Sequence, residues 1–260
     1  MTILDQLVRY ACKRTEQAKT QIPLEAIRRQ ALALPQGSFA FEKALKTPDI
    51  ALICECKKAS PSKGLIAPNF PYRQIAKDYE QAGADCISVL TEPKWFLGSD
   101  TYLQEIAASV AIPCLRKDFT VDEYMIYQAK ILGAAAVLLI CSILSLEQLK
   151  AYIDICDKLG LSALVEAHDA SEVQTALNAG ARIIGVNNRN LKDFSIDATN
   201  SQRLRKLIPY DVLFVAESGV SSAADVRQLR DIGADAVLIG ETLMRAADKK
   251  AKLAELRSML

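Results

Sequence analysis

The sequence lacks an excess of charge of either sign. Its 32 basic and 31 acidic residues leave a formal charge of +1 at pH 7 over 260 residues. A near-neutral chain has no electrostatic basis for wrapping a polyanion, so we expect no nucleic-acid partner. Only one histidine is present, and no H-E-x-x-H, P-loop or EF-hand pattern occurs. The sequence therefore implies neither a bound metal nor a nucleoside triphosphate.

A long uninterrupted hydrophobic run is also missing. The N-terminal stretch has apolar residues at helical spacing, including Leu4 and Leu7, but Asp5 and Arg9 interrupt it. This pattern predicts an amphipathic helix and not a signal peptide or a membrane span. We expect a soluble cytoplasmic protein with no membrane partner.

Cysteine pairs with metal-binding spacing are missing as well. The seven cysteines are odd in number and contain no C-x-x-C pair, and several lie inside apolar runs. They are typical of small buried hydrophobic residues in a reducing compartment, and not of a disulfide or zinc framework.

What the sequence does contain is a series of short apolar segments that alternate with longer stretches of helical period. Near-continuous apolarity, as in AVLLIC and VLFVAE, suits parallel strands that are covered on both faces. The alternation predicts an α/β fold with eight βα units. The predicted strands are 51–55, 86–90, 113–116, 136–141, 162–166, 183–187, 212–216 and 236–240.

A phrase that recurs along the chain sharpens this prediction. AGADCISVL (82–90), LGAAAVLLI (132–140), AGARIIGVN (179–187) and IGADAVLIG (232–240) each combine a helix-ending glycine with a strand. The copies begin 50, 47 and 53 residues apart and cover the second, fourth, sixth and eighth strands. Four copies of a two-unit repeat predict a closed (βα)8 TIM barrel. A doubly wound open sheet is the alternative, but it does not require this regularity, and no G-x-G-x-x-G follows the first strand.

Residues 1–48 precede the predicted barrel, which we place at 49–260 within a single domain spanning 1–260. Their pattern is helical, and Pro23 is well placed to start a helix before LEAIRRQALAL. This N-terminal helical extension either decorates the barrel or covers one of its mouths. A second barrel does not fit into 260 residues, so we expect a monofunctional protein without an obligatory protein partner.

The odd-numbered strands end in ionisable groups. Glu55 and Lys57 end the first strand, and Lys117, Glu166 and Glu217 lie at the same level of the third, fifth and seventh strands. Side chains two apart on a strand face the same way, so Glu55 and Lys57 can both point into the mouth. Barrel enzymes place their chemistry at the carboxyl ends of their strands. The pattern therefore predicts a network of lysines and carboxylates that includes a general acid and a general base.

Any one of these charges, taken alone, could instead begin a solvated loop, but several in phase favour a site. Similar alternatives stay open nearby. His168 is either a base or a loop residue, and Asp118 is either an orienting partner or a loop residue. Trp95 and Phe96, after the second strand, either pack in the fold or stack on an aromatic substrate.

Two glycines follow the seventh and eighth strands, at predicted helix starts. Exposed backbone N–H groups at Ser218, Gly219 and Gly240 would cradle a phosphate in the position where many barrels hold one. A single glycine after a strand is weak support for a phosphate site, because turns commonly require glycine. The prediction depends on finding a glycine after both strands. After the sixth strand, in VNNRNLKDF (186–194), Arg189 could grip a carboxylate, although an Asn-rich turn is the alternative.

Seven segments, in this order, strongly resemble the indole-3-glycerol phosphate synthase family of tryptophan biosynthesis. They are ECKKASPSKG, LTEPKWFLGS, LRKDF, LVEAHD, IIGVNNRNL, VAESGV and LIGETLMR, and the resemblance covers essentially the whole chain. It implies a (βα)8 barrel with an N-terminal helical extension. It also implies ring closure of 1-(2-carboxyphenylamino)-1-deoxyribulose 5-phosphate, with loss of carbon dioxide and water and without a cofactor.

By matching motifs, the resemblance implies a role for each site residue. Lys117 becomes the general acid that protonates the ribulose carbonyl, and Glu166 the base in the later dehydration. Lys57, held by Glu55, is a second candidate acid, and the assignment of each lysine to a step stays open. The other positions are Asn187 and Glu217 as polar support, Arg189 and Ser60 near the substrate carboxylate, Phe96 in the wall of the aromatic pocket, and Ser218, Gly219, Gly240 and Glu241 at the phosphate end. The chain departs from the family at Ala135, where an aspartate is common, which affects local packing and not activity.

Two rival functions differ from this one. In another phosphate-binding barrel enzyme, Lys117 would form a Schiff base with a sugar carbonyl. A non-catalytic metabolite-binding barrel is the second rival, but binding alone does not need a matched acid and base.

Overall fold

The computed structural model describes residues 2–190, 195–197 and 199–260. Within these ranges, eight parallel strands close into a barrel whose strand order follows the chain, and the eighth strand pairs with the first. The strands are β1 (Ala51–Cys56), β2 (Cys86–Leu90), β3 (Cys114–Lys117), β4 (Ala136–Ile140), β5 (Ser162–Ala167), β6 (Ile183–Asn187), β7 (Leu213–Glu217) and β8 (Ala236–Ile239). The predicted (βα)8 barrel is confirmed, and each predicted strand agrees with the observed one to within a residue at either end.

Helices precede the barrel and connect its strands. They are α1 (Ile3–Gln21), α2 (Leu24–Ala33), α3 (Ala40–Ala44), α4 (Tyr72–Gln81), α5 (Asp100–Ala107), α6 (Glu123–Ile131), α7 (Leu146–Leu159), α8 (Ala170–Asn178), α9 (Asn200–Arg205), α10 (Ala223–Asp231), α11 (Glu241–Arg245) and α12 (Lys249–Arg257). A short antiparallel hairpin pairs Ala59–Ser60 with Gly64–Leu65 in the loop after β1. None of the helices described is both long and apolar enough to cross a membrane.

The strands are apolar along their whole length because both of their faces are buried. In β4, Leu138 and Ile140 point into the barrel, while Val137 and Leu139 point outward against the surrounding helices. Side chains alternate between the two faces of a strand, so two apolar layers produce a continuous apolar run.

The repeated phrase ties neighbouring strands together where they begin. Asp85 accepts a hydrogen bond from the Leu52 N–H at 2.7 Å, and Asp235 accepts one from the Phe214 N–H at 2.7 Å. At the second copy, Ala135 donates its backbone N–H to the Cys114 carbonyl at 2.8 Å but has no side-chain acceptor. The start of β3 therefore lacks the side-chain hydrogen bond that the starts of β1 and β7 make.

The segment before β1 reaches both ends of the barrel. Leu7 of α1, Phe41 of α3 and Leu45, which follows α3, belong to the same apolar cluster as the barrel interior. The Glu42 N–H donates to the hydroxyl of Ser162, the first residue of β5, at 3.1 Å, which places α3 at the end where the strands begin. The opposite end, where the strands finish, is the end that α1 contacts.

All seven cysteines fall within the described ranges, and six of them are buried. Burial raises the thiol pKa of Cys114 and of Cys141 to about 12, so both stay protonated near neutral pH. These thiols behave as small apolar residues, as predicted. Cys12, on α1, differs because it is exposed.

Candidate active site

A cavity of about 430 Å³ opens where the strands end. The structure brings all of the predicted site residues together around it. They are Glu55, Lys57, Ser60, Phe96, Lys117, Glu166, Asn187, Arg189, Glu217, Ser218, Gly219, Gly240 and Glu241. Their chemical roles stay predictions, whereas their common location is a property of the fold.

Lys117, the last residue of β3, lies between two carboxylates. Its Nζ is 3.1 Å from Glu166 Oε2 and 3.2 Å from Glu217 Oε2. Burial alone would lower the pKa of Lys117, but the charges of Glu166, Glu217 and Glu55 outweigh that effect and raise it. Lys117 is therefore a charged ammonium group that can donate a proton to a bound molecule.

The pKa values of the two carboxylates around Lys117 shift in opposite directions. Burial raises the pKa of Glu166, but Lys117, His168 and a hydrogen bond with Asn187 outweigh it, so the net pKa is lowered. Burial also raises the pKa of Glu217; Lys117 lowers it and the Glu166 charge raises it further, to about 7. One ammonium group cannot neutralise two buried carboxylates. Glu166 therefore favours the ionised form, which can accept a proton, whereas Glu217 is partly protonated near neutral pH.

A second acid–base pair lies at the end of β1. Lys57 Nζ is 2.5 Å from Glu55 Oε1, and the Ser88 hydroxyl approaches Glu55 Oε2 at 3.4 Å. Gly240, at the end of the adjacent β8, leaves the space for this pair. A Cβ at Gly240 would lie 2.3 Å from Glu55 Oε1 and 2.7 Å from Lys57 Nζ. The glycine that we predicted for phosphate binding therefore also makes room for the Glu55–Lys57 pair.

Gly185, in β6, makes the same kind of room for Glu217, and the sequence reasoning missed it. A Cβ there would lie 2.3 Å from Glu217 Oε1. The available signal was a glycine inside a strand pattern, IIGVN, which often marks close approach of another group.

The turns after β7 and β8 differ in geometry. Gly240 is the N-cap residue of α11, as predicted, but the helix after Gly219 begins only at Ala223, behind an N-cap at Ser222. The predicted helix start at Gly219 is therefore wrong by a few residues. Instead, Ser218 and Gly219 have left-handed backbone, with φ of 68° and 91°. The Ser218 hydroxyl donates to Asn187 Oδ1 at 2.9 Å, which ties this turn to β6.

Two cations near the phosphate end were also missed. Glu241 Oε1 is 3.5 Å from Lys63 Nζ and 3.0 Å from Arg245 Nε. Lys63 comes from the loop after β1, and Arg245 lies one helical turn after Glu241 in α11 and lines the cavity. This positive charge favours an anion despite the neighbouring carboxylate.

The rings of Trp95 and Phe96 lie in different surroundings. Phe96 lines the cavity, with its ring centroid 6.2 Å from that of Phe119. Trp95 packs edge-on against Tyr10 of α1 at 5.6 Å and has the Lys94 ammonium 4.4 Å from its ring centroid. Packing therefore explains Trp95, whereas Phe96 supplies an apolar wall.

A buried carboxylate shapes the loop that carries Phe96. Glu92 accepts hydrogen bonds from the backbone N–H groups of Lys94 at 3.0 Å, Trp95 at 2.7 Å and Phe96 at 2.9 Å. Because these bonds fix the backbone, the aromatic wall is held in place before any ligand arrives.

The N-terminal extension contributes directly to the cavity. Ile3, Leu4 and Leu7 of α1 line it, and Arg14 of α1 forms an ion pair with Asp118. Asp118 is fully buried and also accepts hydrogen bonds from the Thr91 hydroxyl and the Phe119 N–H. Of the alternatives for the first 48 residues, the structure places α1 at the barrel mouth. Asp118 is buried and links α1 to this end of the barrel through Arg14, while its proposed role as an orienting partner stays a prediction.

The remaining predicted motifs lie around this centre. The Arg189 N–H donates to Asn187 Oδ1 at 3.0 Å, at the end of β6. The last four residues of VNNRNLKDF, 191–194, lie outside the described residues. Within the described ranges there is no group of three or more His, Cys, Asp or Glu side chains that could hold a metal ion.

The chain is similar to known proteins along nearly its whole length. A family model described as indole-3-glycerol phosphate synthase matches residues 4–256. The chain is 58% identical over 256 residues to the indole-3-glycerol phosphate synthase of Ruminiclostridium cellulolyticum, covering 98% of this chain and 98% of the relative. It is 50% identical over 270 residues to that of Lachnoclostridium phytofermentans, covering 99% of this chain and 100% of the relative.

Solved structures resemble the chain in fold. A 3-hexulose-6-phosphate synthase from Salmonella typhimurium has a TM-score of 0.67 at 15% identity, covering 81% of this chain and 98% of its own. A thiamine phosphate pyrophosphorylase from Pyrococcus furiosus has a TM-score of 0.62 at 13% identity, covering 84% and 96%. At such low identity these likenesses show the barrel fold alone.

Proposed function

The chain belongs to the indole-3-glycerol phosphate synthase family, the carboxy-lyases of tryptophan biosynthesis, and we propose that Lys117 and Glu166 carry the central proton transfers of its reaction. The observation that supports these roles is the 3.1 Å distance between Lys117 Nζ and the buried Glu166 Oε2, where the pKa of Lys117 is raised and that of Glu166 is lowered, both by their mutual attraction. An acid and a base side by side suit a reaction that first protonates an oxygen and later removes a proton from carbon.

In the first step, the ring carbon that bears the carboxylate attacks the carbonyl carbon of the ribulose chain. The carbonyl oxygen gains negative charge as the new C–C bond forms, and Lys117 gives it a proton. Carbon dioxide then leaves, and the electrons of the broken C–C bond restore the aromatic ring.

In the second step, water leaves and the indole double bond forms. The departing hydroxyl takes a proton from an ammonium group, for which Lys57 beside Glu55 is suited. Glu166 takes the proton from the carbon next to nitrogen, and the electrons of that C–H bond form the new double bond. Within this step the enzyme therefore gives one proton to the substrate and takes one from it.

The other cavity residues would hold the substrate. Phe96 would pack against the anthranilate ring, with Arg189 and Ser60 near its carboxylate. The phosphate would lie at the opposite side, where the turns at Ser218, Gly219 and Gly240 carry backbone donors and Arg245, held by Glu241, adds positive charge. Asn187 and Glu217 would support Glu166 and Lys117.

We further propose a monofunctional, cytoplasmic enzyme in which residues 1–260 form one domain, with 1–48 as the extension that carries α1. The reaction consists of proton transfers and bond rearrangements that side chains can perform, so we propose that it uses no cofactor. We propose no obligatory protein partner and a phosphorylated small molecule as the substrate.

Turnover of 1-(2-carboxyphenylamino)-1-deoxyribulose 5-phosphate, followed by indole fluorescence, tests the proposal. We expect Lys117→Ala to lower kcat by about 10²–10⁴-fold while leaving substrate binding largely intact, because the proton matters most as the oxygen gains charge. Lys150→Ala, on the exposed surface of α7, is the matched control and should behave as wild type. Unchanged kcat in Lys117→Ala would remove this residue from the mechanism.

Borohydride treatment in the presence of substrate separates this proposal from a Schiff-base mechanism. The proposed acid role of Lys117 predicts no reduced covalent adduct. An adduct on Lys117, seen by mass spectrometry, would instead support the rival enzyme class.

A further inference from the structure

Behind Glu166, a second line of ionisable groups leads away from the cavity. One carboxylate oxygen of Glu166, Oε2, faces Lys117, and the other, Oε1, is 3.4 Å from His168 Nε2. His168 Nδ1 is in turn 3.0 Å from Glu172 Oε2, in the first turn of α8. Neither His168 nor Glu172 lines the cavity. Proton donors and acceptors therefore alternate from Lys117 through Glu166 and His168 to Glu172.

This line runs from a buried group to groups in contact with solvent. The Glu166 side chain is 2% exposed, whereas those of His168 and Glu172 are 18% and 21% exposed. The His168 backbone N–H also donates to Glu172 Oε2, at 2.8 Å. A carboxylate only accepts, so the nearby Nδ1 carries a proton. Among the described residues, His168 Nε2 has no hydrogen-bond partner, and Glu166 Oε1 is the carboxylate oxygen that it faces.

The reaction requires proton uptake from solvent. The substrate carboxylate leaves as neutral carbon dioxide, so ring closure consumes one proton that decarboxylation does not return. The dehydration step gives one proton and takes one, which leaves a net uptake of one proton per turnover. After ring closure, Lys117 has lost its proton while the intermediate still occupies the cavity in front of it.

We propose that His168, held in place by Glu172, is a proton relay that recharges Lys117 from behind Glu166 during turnover. The Nε2–H bond of the imidazolium breaks and its proton passes to Glu166 Oε1. The Glu166 carboxyl group then turns so that the oxygen bearing this proton faces Lys117, gives the same proton to the Nζ amine, and is ionised again for the later step. His168 is left as a neutral imidazole whose Nδ1–H is still held by Glu172, and the partly exposed ring becomes an imidazolium again when it moves and Nε2 takes a proton from solvent. This relay rests on the proposed function, because it requires Lys117 as the acid and Glu166 as the base.

The groups around His168 favour the imidazolium form. Burial lowers the pKa of His168, but the hydrogen bond with Glu172 and the charges of Glu166, Glu172 and Glu217 outweigh it and raise the pKa above its usual value. The Cys141 thiol, on the neighbouring turn after β4, has a pKa raised to about 12 by burial and by Glu172, Glu166 and Asp169, so it stays neutral. The ring therefore faces carboxylates on β5, β7 and α8.

The test compares His168→Gln with wild type in single-turnover and steady-state experiments. Glutamine can hydrogen-bond to Glu172 but does not transfer protons. We expect the rate of carbon dioxide release in a single turnover to stay within about twofold of wild type, because Lys117 starts charged. Steady-state kcat should fall by about tenfold or more, and added imidazole should restore part of it. The solvent deuterium isotope effect on kcat should rise.

Two further variants separate the relay from a structural role. Glu172→Gln should lower kcat less than His168→Gln does, with the same isotope signature. Asp169→Asn, at the N-cap of α8, is the control, since asparagine caps equally well, and it should leave kcat unchanged.

Wild-type kcat in His168→Gln would overturn the relay. An equal loss in carbon dioxide release and in kcat, without rescue by imidazole, would also overturn it, because it would assign His168 to positioning alone. Either result leaves the proposed function standing if Lys117→Ala remains inactive. If Lys117→Ala is active, the proposed function itself fails.

Discussion

At the scale of single residues, the site depends on how charge is divided around Lys117. One ammonium group faces Glu166 and Glu217, and the pKa values of these carboxylates move in opposite directions. Such a separation is the usual basis for distinct acid and base roles at one pH. Replacing one carboxylate by its amide therefore affects one step more than another.

We expect Glu166→Gln to separate the two halves of the reaction. The amide keeps the size of the carboxylate but accepts no proton, so dehydration should slow by about 10²–10⁴-fold while ring closure and decarboxylation suffer less. Single-turnover quenching with product analysis should then show carbon dioxide before indole. If both products still appear together at the wild-type rate, Glu166 is not the base.

We expect Gly240→Ala to damage catalysis as well as phosphate binding. The added Cβ would lie 2.3 Å from Glu55 Oε1, so the Glu55–Lys57 pair must move. A displacement of this size in a positioned pair typically lowers kcat by about 10²-fold. Lys150→Ala, on the exposed surface of α7, is again the control and should leave both kcat and KM unchanged. A rise in KM with unchanged kcat would show that Gly240 serves phosphate binding alone.

At the scale of structural elements, an aspartate just before a strand links that strand to the preceding strand of the barrel. Asp85 and Asp235 each accept a backbone N–H bond across the sheet, and Ala135 offers no such acceptor. Its backbone N–H bonds to the Cys114 carbonyl as those of Asp85 and Asp235 bond to Leu52 and Phe214. The equivalent donor at this position is therefore the Cys114 N–H.

We expect Ala135→Asp to stabilise the barrel by about 0.5–1.5 kcal/mol by adding this hydrogen bond. Urea unfolding measures the effect as a higher midpoint with an unchanged slope. Asparagine at the same position is a useful comparison, since it accepts the same bond without a charge. A lower midpoint for both variants would mean that the strand start has no room for the side chain.

At the scale of the whole molecule, the buried carboxylates connect folding stability to pH. The folded pKa of Glu217 is about 7, against a usual value of 4.5, because of burial and the Glu166 charge, which Lys117 offsets only in part. Between those values the unfolded chain has already released the proton that the folded protein retains. The contribution of Glu217 to stability is therefore complete below about pH 4.5 and is lost as the pH rises to about 7.

We expect wild-type stability to decline on going from pH 5 to pH 8, and Glu217→Gln to reduce that decline by a few kcal/mol. His168, whose folded pKa is also raised, adds a loss in the same direction. Thermal unfolding at a series of pH values measures both, with Glu25→Gln on the exposed surface of α2 as the control. Parallel pH profiles for wild type and Glu217→Gln would show that Glu217 is ionised in the folded protein at neutral pH.

The sequence by itself determined the barrel and the location of its chemistry. Strands that are buried on both faces must be apolar throughout, and the repeated combination of a glycine and a strand marks every second βα unit. Both features involve only residues that are close in the chain, so they can be recognised in the sequence. The charged ends of β1, β3, β5 and β7 are visible for the same reason. In a closed parallel barrel, all strands finish at one mouth, so strand position alone brings Lys117, Glu166 and Glu217 together.

Only the tertiary structure decided which atoms meet across long separations in the chain. No periodic pattern in the sequence indicates three of the observed contacts. They are the pairing of Arg14 with Asp118, the lining of the cavity by Ile3 and Leu4, and the room that Gly185 leaves for Glu217. The same holds for the line from Glu166 through His168 to Glu172. Local pattern records which face of an element is buried, whereas hydrogen bonds and close approaches depend on distances between separate elements, which packing alone sets.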